Sequence, residues 1–320
     1  MSINRAIRWV RVCMSRPTTA TRGGACGTYP SRQNHVLAIV LLCSGVFISG
    51  CGRDTPSAQP EAGKVKSDTT SSPATVAATD HPKAIRQLRV AAASDLKFAL
   101  ADVVAAFERL HPDATVIVTY GSSGSFFAQL SNEAPFDLFL SADLAYPRQL
   151  VEQRRGTPDG VFAYATGHIV LWVPNDSVFD VEQKGVEVLR GTAIQKVAIA
   201  NSRTAPYGRA AVAALQSLGL YDDIEERLVF GENVAQTAQM VESGGADAGI
   251  IALSLAVSPV LRDKGRYWQI PDSLHPPIEQ GGVILPWALD VELAGAFRDF
   301  LLSDAGTDIL RQFGFVPAGE

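Results

Sequence analysis

Cysteine is absent from most of this 320-residue chain: Cys13, Cys26, Cys43 and Cys51 all fall within the first 51 residues. The remaining 269 residues therefore hold no disulfide, no thiolate metal site and no cysteine nucleophile, and must be held by their own apolar core. Long apolar runs are scarce too. The uncharged run at 36–48 has 13 residues, short of the ~20 that a membrane-spanning helix needs. Positive charge is also in deficit. Beyond residue 51 the chain keeps 22 of its 28 basic residues against all 33 acidic ones, a formal charge of −11. This argues against nucleic acid or an anionic membrane surface as the main partner, and any bound anion must be held by local donors against the global field. There is no Gly-x-Ser-x-Gly elbow, Walker loop, His-Glu-x-x-His or internal repeat, so the sequence lends no support to catalysis by those devices.

What is present begins with six arginines and no acid in residues 1–35, followed by the short apolar run and Ser49-Gly50-Cys51. A basic segment followed by a short apolar one is the pattern of a secretory signal peptide. Ile48-Ser49-Gly50-Cys51 resembles the lipobox of bacterial lipoproteins, which implies cleavage before Cys51 and acylation of its thiol. Such a lipid would tether the protein without a spanning helix. Residues 1–50 are thus expected to be a signal peptide with a lipobox, with Met14 a candidate internal start. Residues 51–86 are expected to be the lipidated cysteine and a flexible tether, being rich in Ser, Thr, Pro, Ala and charge with no hydrophobic period.

From residue 88 short β-rich runs alternate with helical ones. Strands are expected at 88–92, 114–120 and 137–141. Between the first two, Leu96, Leu100, Val103, Val104 and Phe107 recur at the spacing of one helix face. The order β-α-β-α-β favours a parallel sheet covered by helices. A second unit begins near His168, with strands at 169–173, 196–200, 228–230 and 248–253. One of its helices opens at Pro206 and ends at Gly219; another follows Glu232-Asn233 and stops at Gly244-Gly245. The tail adds a strand at 282–285 and two helices, the last capped by Ser303 or Asp304 and ending near Gly314.

Four junctions lead from a strand into a helix start rich in small or polar residues. They are Ala93-Ser94-Asp95, Gly121-Ser122-Ser123-Gly124, Ala205-Pro206-Tyr207-Gly208 and Glu232-Asn233-Val234. In a parallel sheet such points lie together on the ligand side. Helix starts present unpaired N–H groups and the positive end of the dipole. Hydrogen bonds to a charged partner contribute about 1.5–3 kcal/mol each, so a handful of neutral donors can hold a dianion. Each junction by itself is better explained as an N-cap or a plain loop, and only the four together point to a site. Asp137 and Asp143 read as strand-end and hinge hydrogen-bonding groups rather than a metal pair, and Arg203 as a solvated loop arginine. His111, His168 and His275 lack metal-ligand spacing, and Trp172, Trp268 and Trp287 read as core or lobe-edge residues.

Several motifs together resemble the periplasmic molybdate-binding proteins. They are Ala91-Ala92-Ala93-Ser94, Gly121-Ser122-Ser123-Gly124, the run from Phe136 to Asp143, Ala205-Pro206-Tyr207-Gly208, Glu232-Asn233-Val234 and the closing Phe313-Gly314-Phe315. The likeness extends from about 88 to 317. It implies an α/β, two-lobed periplasmic-binding-protein fold of type II, each lobe a mostly parallel sheet flanked by helices, with the ligand in the cleft. Lobe 1 would comprise 87–166 and 282–320 and lobe 2 167–281, with hinge crossings near 165–168 and 280–283. The same resemblance implies a site without cofactor, resident metal or catalytic residue. Ser94 and Ser123 would give hydroxyl and N–H donors, and Tyr207 and Val234 backbone N–H groups. Asp95 would add its own N–H, with its carboxylate turned away. Ala252 stands where many members have a ligand-binding tyrosine, and the Tyr207 hydroxyl is a candidate replacement.

The resulting expectation is a monomeric, lipid-anchored binding protein of the periplasm or cell envelope. It would capture molybdate, and tungstate as well, for the permease of an ABC importer in the inner membrane. Sulfate or phosphate as ligand is the alternative within that class, and an exported enzyme on the same fold is the alternative outside it. Phosphate carries a proton at neutral pH and needs an acceptor, which makes Asp95 the residue to watch.

Overall fold

A computed structural model of the protein describes residues 85–320. The expected signal peptide, the expected lipid site at Cys51 and nearly all of the expected tether lie outside the described residues. Strand β1 (Arg86–Ala93) passes through a single 3-10 turn (Ser94–Leu96) into α1 (Lys97–Leu110). Then come β2 (Ala114–Gly121), α2 (Ser123–Leu130), β3 (Leu138–Ser141), α3 (Ala145–Glu152) and β4 (Val161–Gly167). Past His168 the chain enters a second sheet through β5 (Ile169–Pro174), α4 (Val181–Lys184), β6 (Val197–Ala200), α5 (Pro206–Ser217) and α6 (Tyr221–Ile224). This sheet continues with β7 (Leu228–Gly231), α7 (Val234–Glu242), β8 (Ala248–Ala252), α8 (Leu253–Ala256) and β9 (Gly265–Gln269). The return runs through β10 (Ile278–Ile284), α9 (Val291–Leu302), α10 (Asp304–Gln312) and β11 (Val316–Pro317).

The six-stranded sheet has the order β11-β4-β10-β3-β1-β2 and the five-stranded sheet β7-β6-β8-β5-β9. Both are mixed, which corrects the expectation of mostly parallel sheets. Parallel pairing is confined to β1 with β2 and β3, and to β6 with β7 and β8. The strands next to the lobe crossings return antiparallel: β10 against β3 and β4, and β5 against β8 and β9. The first crossing falls at His168. The second lies in residues 270–277, earlier than the expected 280–283, because β10 pairs along its length with the first sheet and carries only a register shift at Gln280/Gly281.

Each sheet has its own core. Leu96, Leu100, Val103 and Phe107 of the helical stripe are fully buried with Leu88, Val90 and Leu138 from the sheet; each such side chain contributes about 1.5–3 kcal/mol of burial. β1 is an interior strand between β3 and β2, and its last four residues are buried on both faces, as interior parallel strands are. Trp172, Ile199, Ala211 and Ile251 are fully buried in the second core. Helix ends follow local chemistry. Ser122, Asn233 and Ser303 cap α2, α7 and α10 by accepting N–H groups of the first turn. Pro206 opens α5, and Gly219 ends it at φ +61°. Among the described residues no helix is long and apolar enough to cross a membrane.

Asp137 is a structural group, in line with the reading above. Its carboxylate accepts from the Arg89 N–H at 2.8 Å, from Arg89 Nε and Nη2 at 3.0 and 2.8 Å, and from the Leu289 N–H at 2.9 Å. Burial opposes its ionisation, but these donors hold the carboxyl below the ordinary range. Arg203 is exposed, and Trp172 lies in the core.

Candidate functional site

The four junctions meet where the two sheets face each other. Ser94 opens the turn after β1, Ser123 is the first residue of α2, Tyr207 the second of α5 and Val234 the first of α7. All four are buried, at 3, 1, 2 and 3% exposure. Short-range bonds draw them into one interface. Ser94 Oγ accepts the Ala235 N–H of α7 at 3.3 Å. The Gly124 N–H and Ser122 Oγ both donate to Thr204 O, at 2.8 and 3.2 Å, just before α5. Ser254 Oγ donates to Asp95 O at 2.8 Å. Ala93 and Ala142 of the first lobe pack into the hydrophobic core of the second.

Hydrogen-bond accounting at these helix starts shows which donors are left over. In α5, the Ala205 N–H bonds Asn201 O, Pro206 has none and the Gly208 N–H bonds Ala205 O. Only the Tyr207 N–H remains. In α7, the Ala235 and Gln236 N–H groups are taken by the Asn233 side chain, leaving Val234. In α2, the Gly124 and Ser125 N–H groups are satisfied, leaving Ser123 at the first helical position. The Ser123 hydroxyl accepts the Ala142 N–H at 2.9 Å and the Ser94 hydroxyl accepts Ala235, so each keeps its hydrogen to donate elsewhere. These are neutral donors at the positive ends of helix dipoles, an arrangement suited to an anion.

The Tyr207 phenol is engaged in a side-chain network. Its hydroxyl donates to Asp95 Oδ2 at 3.0 Å and accepts from Gln280 Nε2 at 3.1 Å. Burial and the Asp95 charge push it well above the ordinary range, so it stays neutral. Ala252, the last residue of β8, is fully buried and carries no donor beyond its backbone. The Asp95 carboxylate takes a second bond to Oδ2 from Gln280 Nε2 at 2.6 Å, and Gln280 Oε1 accepts from the Tyr164 hydroxyl at 2.8 Å. A polar chain thus links the first lobe, α5 and both strands beside the crossings. Asp95 Oδ1 is buried without a hydrogen-bond partner. Burial drives the carboxyl up to about 6, against hydrogen bonding from Gln280, Tyr207 and the backbone N–H groups of Asp95 and Leu96. Gly167 must be glycine here: a Cβ would lie 2.1 Å from the Tyr207 hydroxyl and 2.7 Å from Gln280 Nε2.

Sequence reasoning missed Gln280, Tyr164, Ser254 and Thr204. A glutamine inside an apolar strand ahead of Gly281-Gly282 was the available signal for Gln280; the others carry none. The histidines stand apart from the site. His168 Nδ1 and Asp272 Oδ1 are 2.9 Å apart and join the two crossings, and His111 stacks on Phe107. Among the described residues no group of three His, Cys, Asp or Glu side chains could hold a metal ion.

Residues 88–316 match the family described as bacterial extracellular solute-binding protein. The molybdate-binding protein ModA of Azotobacter vinelandii is 36% identical over 230 residues, covering 72% of this chain and 89% of that protein. The protein of the same name from Rhodobacter capsulatus is 37% identical over 202 residues, 63% of this chain and 77% of that one. The solved structure of the Azotobacter vinelandii periplasmic molybdate-binding protein superposes with a TM-score of 0.66 at 33% identity, covering 72% of this chain and 98% of that one. With a two-lobed α/β fold and a match over most of its length, the chain belongs to the bacterial extracellular solute-binding protein family.

Proposed function

We propose that the protein captures molybdate, or tungstate of the same shape and charge, outside the cytoplasm and delivers it to the permease of an ABC importer. It works as a monomer tethered through a lipid on Cys51, and its activity is binding and release without a chemical step. The observation that carries this reading is the set of leftover donors. Ser123, Tyr207 and Val234 each offer an N–H, and Ser94 and Ser123 each offer a hydroxyl, all buried between the lobes. Five such bonds at about 1.5–3 kcal/mol each are enough to offset the adverse net charge. Donors alone favour a fully deprotonated dianion over hydrogen phosphate, which must give up a bond of its own to an acceptor. Relatives named for molybdate at 36 and 37% identity support the choice among dianions.

The test is calorimetric titration of the purified protein with molybdate, tungstate, sulfate and phosphate, repeated with Ser123→Ala. One-to-one binding of molybdate and tungstate, weakened about tenfold or more by loss of one charged hydrogen bond, is the expected result. Preference for sulfate or phosphate would overturn the ligand, and no binding of any oxyanion would overturn the site.

A further inference from the structure

Outside the ligand donors, one side-chain cluster bridges the lobes. Arg209 of α5 forms an ion pair through Nη2 with Asp143, which follows β3 in the first lobe. Its Nη1 donates to the Tyr146 hydroxyl of α3 at 3.1 Å, and the guanidinium lies over the Tyr146 ring, 5.6 Å from its centre. Tyr146 in turn packs on Phe127 of α2, with ring centres 5.2 Å apart. Both ends of the cluster sit next to ligand donors. Asp143 adjoins Ala142, whose N–H orients the Ser123 hydroxyl. Arg209 lies two residues beyond Tyr207 on the same helix.

We propose that Arg209, Asp143 and Tyr146 form a clasp that holds the lobes closed and so sets how long the bound oxyanion is retained. Arg209 is a positioning residue, touching the ligand only through the closure it maintains. The ion pair alone would count for little, since the Arg209 and Asp143 side chains are 40 and 30% exposed. The hydroxyl bond and the cation–π contact add to it, and all three form only when the lobes meet. Loss of the clasp should therefore speed release by about 3- to 10-fold and should not slow association, because capture begins from the open form. This inference rests on the molybdate reading for its ligand but not for its geometry.

The experiment measures release of radiolabelled molybdate into unlabelled excess from wild type, Arg209→Ala, Arg209→Lys, Asp143→Asn and the Arg209→Ala/Asp143→Asn double variant. Alongside it, the interlobe distance is read in ligand-free protein from spin labels on cysteines introduced at the exposed Ala105 and Glu226. Faster release from both single variants, no further gain in the double, partial rescue by lysine and a longer interlobe distance in Arg209→Ala are expected. Wild-type release from Arg209→Ala with an unchanged distance would overturn the clasp, as would single effects that multiply in the double variant. Should wild type retain no molybdate while the distance still depends on Arg209, the ligand reading fails and the clasp stands.

Discussion

Replacing Asp95 by asparagine should stabilise the ligand-free protein at neutral pH, an unusual outcome for a residue in the middle of a binding cleft. The buried carboxyl holds its proton up to about 6, against an ordinary 3.8. Between those values the folded state binds more protons than the unfolded one, so stability falls as pH rises from about 4 to about 6 and is level above that. Each tenfold change in proton affinity is about 1.4 kcal/mol, which puts the cost of the ionised carboxylate in the folded state near 3 kcal/mol. Asparagine is isosteric. Its oxygen can keep the bonds from Tyr207 and Gln280, and its nitrogen takes the place of Oδ1, which has no partner to lose. The assay is urea denaturation of both proteins from pH 4 to 7.5 without ligand. Between pH 4 and 7.5 the stability gap should move by about 3 kcal/mol toward Asp95→Asn, about 6–12 °C in melting temperature for a domain of this size. A gap that does not vary with pH would refute the reasoning.

Three other perturbations separate binding from stability. Val234→Pro removes one leftover donor at the first helical position, where proline is favoured, and Asn233 before it is already extended, at φ −145° and ψ 173°. Titration should show molybdate affinity reduced by roughly 10- to 100-fold, with the unfolding midpoint nearly unmoved. Gly124→Ala would place a Cβ 2.6 Å from Thr204 O and 2.8 Å from the Tyr146 hydroxyl. Closure should then be hindered by about 1–3 kcal/mol, seen as roughly tenfold weaker binding with an unchanged far-ultraviolet spectrum. Asp137→Ala strands Arg89 and the Leu289 N–H, and denaturation should show a loss of about 3–5 kcal/mol whether or not ligand is present.

The sequence made legible what local physics decides. Leu96, Leu100, Val103 and Phe107 are buried as their period requires, with Val104 half-buried at the stripe's edge, Pro206 and Gly219 bracket α5, and Ser303 caps the last helix. The helix starts at Ser123, Pro206 and Val234 are legible as polar or small-residue breaks after β-rich runs. Strands β4, β9 and the two-residue β11 are not legible in the sequence. β9 alternates between exposed and half-buried positions, and Gly-Arg-Tyr-Trp-Gln carries little apolar period. The two lobes came from family likeness, since periodicity cannot say which sheet a strand joins. The polar chain was out of reach because its partners are distant in sequence. Asp95 meets Tyr207 across 112 positions and Gln280 across 185. For the same reason the bond from the Tyr207 hydroxyl to Asp95 is not legible in the sequence.

The central claim is that neutral donors at helix starts, rather than cations, hold the anion. A crystal structure of the protein with molybdate tests it directly. Molybdate oxygens are expected about 2.7–3.2 Å from the backbone nitrogens of Ser123, Tyr207 and Val234 and from the hydroxyls of Ser94 and Ser123. An anion held instead by arginine or lysine side chains, or by the Tyr207 phenol after release from Asp95, would contradict it.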